Sequence, residues 1–160
     1  MRVTICAIGR SKNDPAQHLL DDFEDRIKKA GPSTGLKSLT MIEVEAPRGL
    51  SGPERQSAET KALLAKAPSP RTGIVLDGRG AALTSEAFSE KIRAWRDASA
   101  DDLVFFIGGA DGHSDEIFAD ARLTLSLGSA TWPHMLARVM VLEQLYRAVT
   151  ILSGHPYHRG

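Results

Sequence analysis

The sequence contains one cysteine, Cys6, among 160 residues. One cysteine cannot build a disulfide framework within a chain, and such usage is typical of proteins whose thiols stay reduced. Cys6 stands in an apolar strand-like pattern, so we expect a buried, unreactive thiol. No apolar run is long enough to span a bilayer, and the opening MRVTICAIGR is too short for the apolar core of a secretion signal. We therefore expect a cytoplasmic protein with no membrane contact.

The chain also lacks net charge, with 20 acidic and 20 basic residues. A neutral protein does not bind free nucleic acid through bulk electrostatics. The charges are nevertheless unevenly placed, because residues 101–120 contain no Lys or Arg, whereas Glu143 is the only acidic residue in 134–160. A polyanion, if bound, is therefore expected near the C-terminal segment.

Several motifs of enzyme chemistry are missing. The sequence has no G-x-x-x-x-G-K-[ST] phosphate loop, no complete dinucleotide fingerprint and no G-x-S-x-G nucleophile turn. It has no paired Cys or His spacing typical of a metal site, so we expect no metal. These exclusions leave a ligand held mainly by backbone contacts and apolar walls.

What the sequence does contain is a regular alternation of strand and helix patterns. Strands are predicted over 2–8, 36–44, 73–77, 103–107 and 123–127. The first helix is predicted to run from a cap at Asn13 or Asp14 to residue 29, and the others over 54–67, 85–97, 114–121 and 133–152. Thr84 or Ser85 is predicted to cap the third helix. Five such repeats predict one α/β domain over residues 1–160, with a mostly parallel sheet covered by helices on both faces.

Three of these strands run into loops of small residues: LDGRG at 76–80, IGGADG at 107–112 and LGSAT at 127–131. Parallel α/β sheets bind ligands at the carboxyl ends of their strands. Small residues let the backbone approach a ligand closely. The three loops together therefore predict a cofactor cleft, with Gly108 and Gly109 at its centre.

The last helix is apolar on almost every face, which predicts a subunit interface in so small a protein. Pro133 suits its first position, with Thr131 or Ser129 as its cap. His134 and Arg138 fall on one side of it, and Glu143 and Arg147 fall on the other. A buried charge has to be paired or used, so Glu143–Arg147 is either a structural pair or part of a functional site.

Three segments resemble a known family: IGGADG, LSLGSATWPHMLARVMVLEQLYRA and the terminal HPYHRG. With their T-x-P-H-x-x-x-R, E-Q-x-Y-R-A and Y-H-R patterns, they resemble the ribosomal large-subunit RNA methyltransferase H family of the SPOUT superfamily. The resemblance covers the whole chain. It implies a C-terminal trefoil knot and a homodimeric enzyme that uses S-adenosylmethionine to methylate N3 of a pseudouridine in 23S rRNA.

The same resemblance implies which residues bind the cofactor. The matching positions here are Leu76, Gly108, Leu127, Gly128, Ser129, Ala130, Thr131 and Trp132. Gly128 and Ala130 are smaller than the family pattern leads one to expect, which would change the packing against the adenine. Trp132 is either an aromatic wall of the cofactor site or a core residue.

Methylation at N3 requires loss of the N3 proton, so a base or anion-stabilising donors must act. The candidates are Tyr157, His158, Arg159, His134, Arg138 and Arg147. We favour the C-terminal tail with Tyr157, His158 and Arg159, because an aromatic and basic end suits a splayed-out loop base. The alternative is a tail that closes the cofactor pocket or docks on the partner subunit.

The neutral charge favours an assembled ribosome over free RNA as the substrate. Three alternative functions remain: a SPOUT methyltransferase for another rRNA or tRNA base, a non-catalytic ribosome-binding assembly factor, and a flavodoxin-like redox module.

Overall fold

The computed structural model describes residues 1–11 and 14–157. Its sheet has five strands in the order β2-β1-β4-β3-β5, and every pair of neighbours is parallel. The strands are β1 Arg2–Ile8, β2 Ser38–Val44, β3 Thr72–Ala82, β4 Asp102–Ile107 and β5 Ala121–Ser126. The helices are α1 Gln17–Ala30, α2 Gly52–Lys66, α3 Ser85–Asp97, α4 Glu116–Ala119 and α5 His134–Ser153, with a 3-10 turn at Gly31–Thr34. The predicted α/β class and the five alternations are confirmed.

Helices cover both faces of the sheet, as predicted. Alternate residues of a strand point to opposite faces, and neighbouring residues of β1 accordingly fall into two separate cores. Ile5 packs in a core that includes side chains of α1, α3 and α5, whereas Cys6 packs in a second core with Leu63 of α2 and Ile117 of α4. Cys6 is fully buried, and burial raises the pKa of its thiol to about 11, which agrees with the expected unreactive role.

The third strand differs most from its prediction. We expected it to end at Asp77 and to be followed by a loop, but β3 continues to Ala82. After an irregularity between Leu76 and Ala81, its second part pairs again with β5. A Cβ at Gly80 would lie 2.6 Å from the backbone of Thr124, so a glycine allows β5 to approach this closely. Segment 78–80 is therefore an irregular part of the strand and not a loop after it.

Two predicted helix caps are also corrected. The α5 helix begins at His134 with Pro133 at its N-cap, and the amide of Ala137 donates to the Pro133 carbonyl at 3.0 Å. Thr131 and Ser129 precede that cap, so neither caps the helix. The α1 helix begins later than predicted, because Asp14 closes the turn before it by accepting from the amide of Ala16. The other candidate, Asn13, lies outside the described residues.

The cap of α3 is confirmed, since the amide of Ala87 donates to the hydroxyl of Thr84 at 3.2 Å. At its other end, α5 stops at Gly154, whose φ of 68° is the left-handed conformation that favours glycine. Across residues 1–11 and 14–157, none of the helices combines the length and hydrophobicity that a bilayer span requires.

Candidate cofactor cleft and C-terminal cluster

A cavity of about 700 Å³ opens at the carboxyl ends of β4 and β5, beside residues 76–78 of β3 and the start of α5. All nine predicted cofactor residues line it: Leu76, Gly108, Gly109, Leu127, Gly128, Ser129, Ala130, Thr131 and Trp132. The fold thus brings together three segments that lie far apart in the chain, because neighbouring parallel strands end at the same edge of the sheet.

The Gly108–Gly109 segment follows β4 and is tightly packed. A Cβ at Gly108 would lie 3.1 Å from the imidazole of His113 and 3.2 Å from the carbonyl of Gly112, two residues that also line the cavity. A Cβ at Gly109 would lie 2.6 Å from a carboxylate oxygen of Glu59. Both positions therefore favour glycine, and their backbone forms part of the cavity wall.

The loop after β5 is shaped by a left-handed glycine. Gly128 has a φ of 107°, a conformation that other residues rarely adopt. The Ser126 hydroxyl bridges it, accepting from the Gly128 amide at 3.2 Å and donating to the Gly128 carbonyl at 3.1 Å. This geometry accounts for the small residue at 128. Trp132 is 43% exposed at the cavity, so it is a wall of the cleft and not a core residue.

Two of the catalytic candidates, His134 and Arg138, lie side by side near Gly9 at the end of β1. A Cβ at Gly9 would lie 3.5 Å from His134 Nε2 and 3.6 Å from Arg138 Nη2. His134 lines the cavity. Arg138, by contrast, is fully buried behind it.

The Arg138 guanidinium is engaged in internal contacts. It donates to Glu43 Oε1 at 2.9 Å and to the carbonyls of Ile8 and Gly9 at 2.7 and 2.8 Å. Burial lowers the pKa of Arg138, and the Glu43 carboxylate opposes that shift. These contacts tie α5 to the end of β1. A catalytic role for Arg138 stays a prediction.

Arg147 and Tyr157 form a second cluster with Glu143, here called the C-terminal cluster. Arg147 donates to Glu143 Oε1 through Nε at 2.9 Å and through Nη2 at 2.5 Å. The Tyr157 hydroxyl donates to the same oxygen at 3.3 Å, and its ring lies 5.1 Å from the Arg147 guanidinium. Burial and the Glu143 charge raise the pKa of Tyr157, so the phenol keeps its proton and can donate. The predicted Glu143–Arg147 pair is confirmed, while His158 and Arg159 lie outside the described residues.

A second groove of about 530 Å³ runs beside the C-terminal cluster, and Glu143 lines it. Its walls are mostly apolar and come from several elements, including Phe23, Leu83, Phe88, Leu127, Val139 and Met140. Phe23 belongs to α1, and Val139 and Met140 belong to α5. The same two helices carry exposed leucines, since Leu19 of α1 is 49% exposed and Leu136 of α5 is 40% exposed. The α1–α5 side of the molecule therefore shows an apolar surface.

Two polar residues of α2 contact the 108–114 loop and were not among the predicted site residues. Glu59 and Thr60 are both buried. A usable signal existed, because Glu59 precedes the apolar Leu63 by four residues and so shares its face of the helix. His113 was missed as well; it is 6% exposed, packs against Gly108 and lines the cavity.

No group of three His, Cys, Asp or Glu side chains suited to a metal ion occurs within residues 1–11 and 14–157. The cleft is lined by backbone amides and carbonyls, an indole, small hydroxyl side chains, the Asp77 carboxylate and the imidazoles of His113 and His134. Such a lining suits an organic cofactor with both apolar and polar parts.

Comparison with known proteins places the chain among methyltransferases. The family model described as Predicted SPOUT methyltransferase matches residues 1–158. Proteins named Ribosomal RNA large subunit methyltransferase H are similar over 160 residues and the full length of both chains in Nitrobacter winogradskyi, at 46% identity, and in Bradyrhizobium diazoefficiens, at 44%. The protein of that name from Rhizobium rhizogenes is 46% identical over 159 residues, which cover 99% of each chain.

Among solved structures, a probable methylase family protein from Haemophilus influenzae Rd KW20 has a TM-score of 0.50 at 14% identity. The match covers 99% of this chain and 70% of that one, and it shows a shared fold only. The resemblance found in the sequence is confirmed by the full-length matches. The chain belongs to the SPOUT methyltransferases, within the ribosomal RNA large subunit methyltransferase H family.

Proposed function

We propose that this protein is an S-adenosylmethionine-dependent methyltransferase that modifies N3 of a pseudouridine in 23S rRNA, on the assembled ribosome in the cytoplasm. The names of its relatives support the methylation of large-subunit rRNA. The observation that carries the proposal is the cleft: one cavity is lined by the eight residues that the family resemblance assigns to the cofactor and by Gly109, which the small-residue loops predicted.

The residues of the cleft fit S-adenosylmethionine. A cavity of about 700 Å³ lies in the range of small-molecule sites, roughly 300–1,000 Å³. The glycines at 108, 109 and 128 expose backbone groups to a ligand, and the half-exposed indole of Trp132 offers a flat apolar wall for an adenine. Bound S-adenosylmethionine would supply an electrophilic methyl group carried on a sulfonium.

The chain's own groups would prepare the target base. His134 lines the cleft, so its imidazole is placed to accept the N3 proton. The Tyr157 phenol, kept protonated beside Glu143, can donate a hydrogen bond to the anion that forms on the base. We infer that His158 and Arg159 act with Tyr157 as a substrate-facing tail.

We further propose a homodimer and a C-terminal trefoil knot, in a single domain spanning residues 1–160. The C-terminal cluster borders the second groove, and its Tyr157 would then serve the cleft of the partner subunit. The apolar α1–α5 side, with Leu19 and Leu136 exposed, supports burial against a second copy. Zero net charge supports recognition of a ribosomal surface over free RNA.

Two alternatives make different predictions. A SPOUT enzyme acting on another rRNA or tRNA base would share the fold and cofactor but leave a different modified nucleotide. A non-catalytic assembly factor would bind ribosomes without measurable affinity for S-adenosylmethionine.

The deciding experiment is mass spectrometry of 23S rRNA from a strain that lacks this protein. We expect one pseudouridine to lose its N3 methyl group and to regain it when the wild-type gene is restored. A Gly108→Val variant should fail to restore it, because the added side chain meets His113 and Gly112 and displaces the cleft wall. Unchanged 23S rRNA in the deletion strain would exclude this substrate, and calorimetry with S-adenosylmethionine would then separate the two alternatives.

A further inference from the structure

One face of α2 carries four polar side chains, Arg55, Gln56, Glu59 and Thr60, here called the α2 polar face. Three contacts join it to the loop over residues 109–114. The Gln56 amide donates to the carbonyl of Asp111, and the Thr60 hydroxyl accepts from the amide of Ser114 at 3.2 Å. Arg55 lies between Glu59, at 2.9 Å, and the Asp111 carboxylate, at 3.8 Å. The helix therefore contacts the loop at Asp111 and at Ser114.

Glu59 is the buried charged member of this face, with 1% of its surface exposed. Its Oε1 accepts from Arg55 Nε, whereas its buried Oε2 has no hydrogen-bond partner among the described residues. Both oxygens point at Gly109, since a Cβ there would lie 2.6 Å from Oε2 and 2.9 Å from Oε1. On its other side, Gly109 forms part of the cleft wall.

A buried carboxylate is costly, and an apolar side chain at 59 would satisfy the packing of α2. An apolar residue would not hold Arg55, however, and Arg55 also reaches Asp111, two residues after Gly109 in the loop. The placement of Glu59 thus sets how closely the Gly109 backbone can approach α2. It also sets the orientation of Arg55, which faces Asp111.

We propose that Glu59 is a positioning residue for the cofactor cleft: its carboxylate, held by Arg55, sets the path of the backbone at Gly109. The inference rests on the proposed function, in which this cleft binds S-adenosylmethionine. Glu59 acts through Gly109 and touches neither the cofactor nor the base.

The first test compares cofactor binding among variants at position 59. Glu59→Ala should weaken the calorimetric Kd for S-adenosylmethionine by about tenfold or more, since small misplacements of a binding loop have effects of this order. The KM for the cofactor should rise in parallel, while kcat at saturating cofactor should change little. Glu59→Gln preserves the shape and an acceptor for Arg55, so it should restore most of the affinity.

The matched control is Glu54→Ala, which removes an exposed carboxylate from the same helix and should leave Kd unchanged. If Glu59 were purely structural, Glu59→Ala would lower the unfolding temperature but leave the Kd of the folded protein for S-adenosylmethionine unchanged. That result would overturn the inference. Absence of cofactor binding by the wild-type protein would instead refute the proposed function.

The second test is a double-mutant cycle with Gly109→Ala, whose new methyl group would meet the Glu59 carboxylate. Gly109→Ala alone should weaken binding strongly, whereas Gly109→Ala combined with Glu59→Ala should bind no worse than Glu59→Ala alone. Losses that multiply in the double variant would show that the two residues do not interact. Should Glu59→Ala fail to fold, Glu59→Asp takes its place, because a carboxylate withdrawn by one methylene also frees space at Gly109.

Discussion

At the scale of single residues, this protein uses buried polar side chains to join segments that lie far apart in the sequence. Arg138 joins α5 to the end of β1, and Asp102 accepts from Arg2 at 2.6 and 2.8 Å where β4 meets β1. The hydrogen bond from Arg2 lowers the pKa of Asp102. The loss of one partner from such a pair strongly destabilises the fold, because the other partner remains buried and uncompensated.

Arg138→Leu should therefore lower the free energy of unfolding by about 3 kcal/mol, the order found when a buried pair is broken. The carbonyls of Ile8 and Gly9 would lose their donor, and Glu43 would lose its partner. Chemical denaturation followed by circular dichroism measures the change. The control is Arg10→Leu, which breaks an exposed pair with Glu45 and should alter stability little. A stable but inactive Arg138→Leu protein would instead favour the predicted catalytic role of Arg138.

His113 should give the fold a pH dependence below neutrality. Burial lowers its pKa from the ordinary value of 6.5, although the nearby Asp77 carboxylate acts in the opposite direction. Between that lowered pKa and 6.5, the unfolded chain binds more protons than the folded one, so stability rises with pH. Its contribution is complete above about pH 6.5 and is lost as the pH falls toward the lowered value. His113→Leu should flatten the curve of unfolding free energy against pH in this window, and parallel curves for the two proteins would contradict the assignment.

At the scale of elements, α2 and α5 show opposite departures from a simple amphipathic helix. The α2 helix places charged and polar side chains against a loop, whereas α5 buries apolar side chains on several sides and contacts both α1 and α3. Beyond Gly154 the chain turns back, and Tyr157 packs its ring 4.8 Å from that of Tyr146. The end of α5 thus anchors the tail through the C-terminal cluster.

Removing residues 157–160 should separate cofactor binding from methyl transfer. The cleft residues remain, so affinity for S-adenosylmethionine should stay within a few-fold. Transfer to unmethylated ribosomes should fall by roughly a hundredfold, the order expected for loss of an acid–base group or an anion-stabilising donor. A single-turnover assay measures it, with Tyr157→Phe as the matched variant that keeps the ring against Tyr146 and removes only the hydroxyl. Equal activity of truncated and full-length proteins would make the tail structural and move the role to His134.

At the scale of the whole molecule, the two layers of helices differ in the polarity of the surface that they expose. The α2–α4 layer is short and polar at its cleft end, whereas the α1–α5 side exposes Leu19 and Leu136 beside an apolar groove. Exposed apolar surface of this kind marks interaction sites. It is the surface on which the proposed dimer depends.

We predict that the wild-type protein sediments as a dimer at micromolar concentration. Leu136→Glu should shift it toward monomer, because a carboxylate would have to be desolvated in the interface. The control is Lys61→Glu, an exposed substitution on α2 across the sheet, which should leave the assembly unchanged. A wild-type protein that sediments as a stable monomer would refute the dimer, and with it a tail that serves the partner's cleft.

The sequence by itself determined the α/β class, the order of the elements and the three segments that line the cleft. Hydrophobic periodicity and small-residue breaks are local signals, and parallel strands bring their carboxyl ends to one edge whatever their order in the sheet. The Glu143–Arg147 pair could also be predicted, because it depends on a local signal: one helical turn separates its two members.

Only the tertiary structure decided the features that depend on contacts between distant segments. The extension of β3 to Ala82 exists because β5 pairs with it a second time, and the burial of Arg138 exists because Ile8, Gly9 and Glu43 converge on it. Trp132 lines a cleft that Leu76 and Gly108 also line, and Glu59 packs against Gly109, so both roles depend on segments that are distant in the chain. A local pattern specifies which face of a helix or strand a residue occupies, but the partner on that face is chosen by the fold.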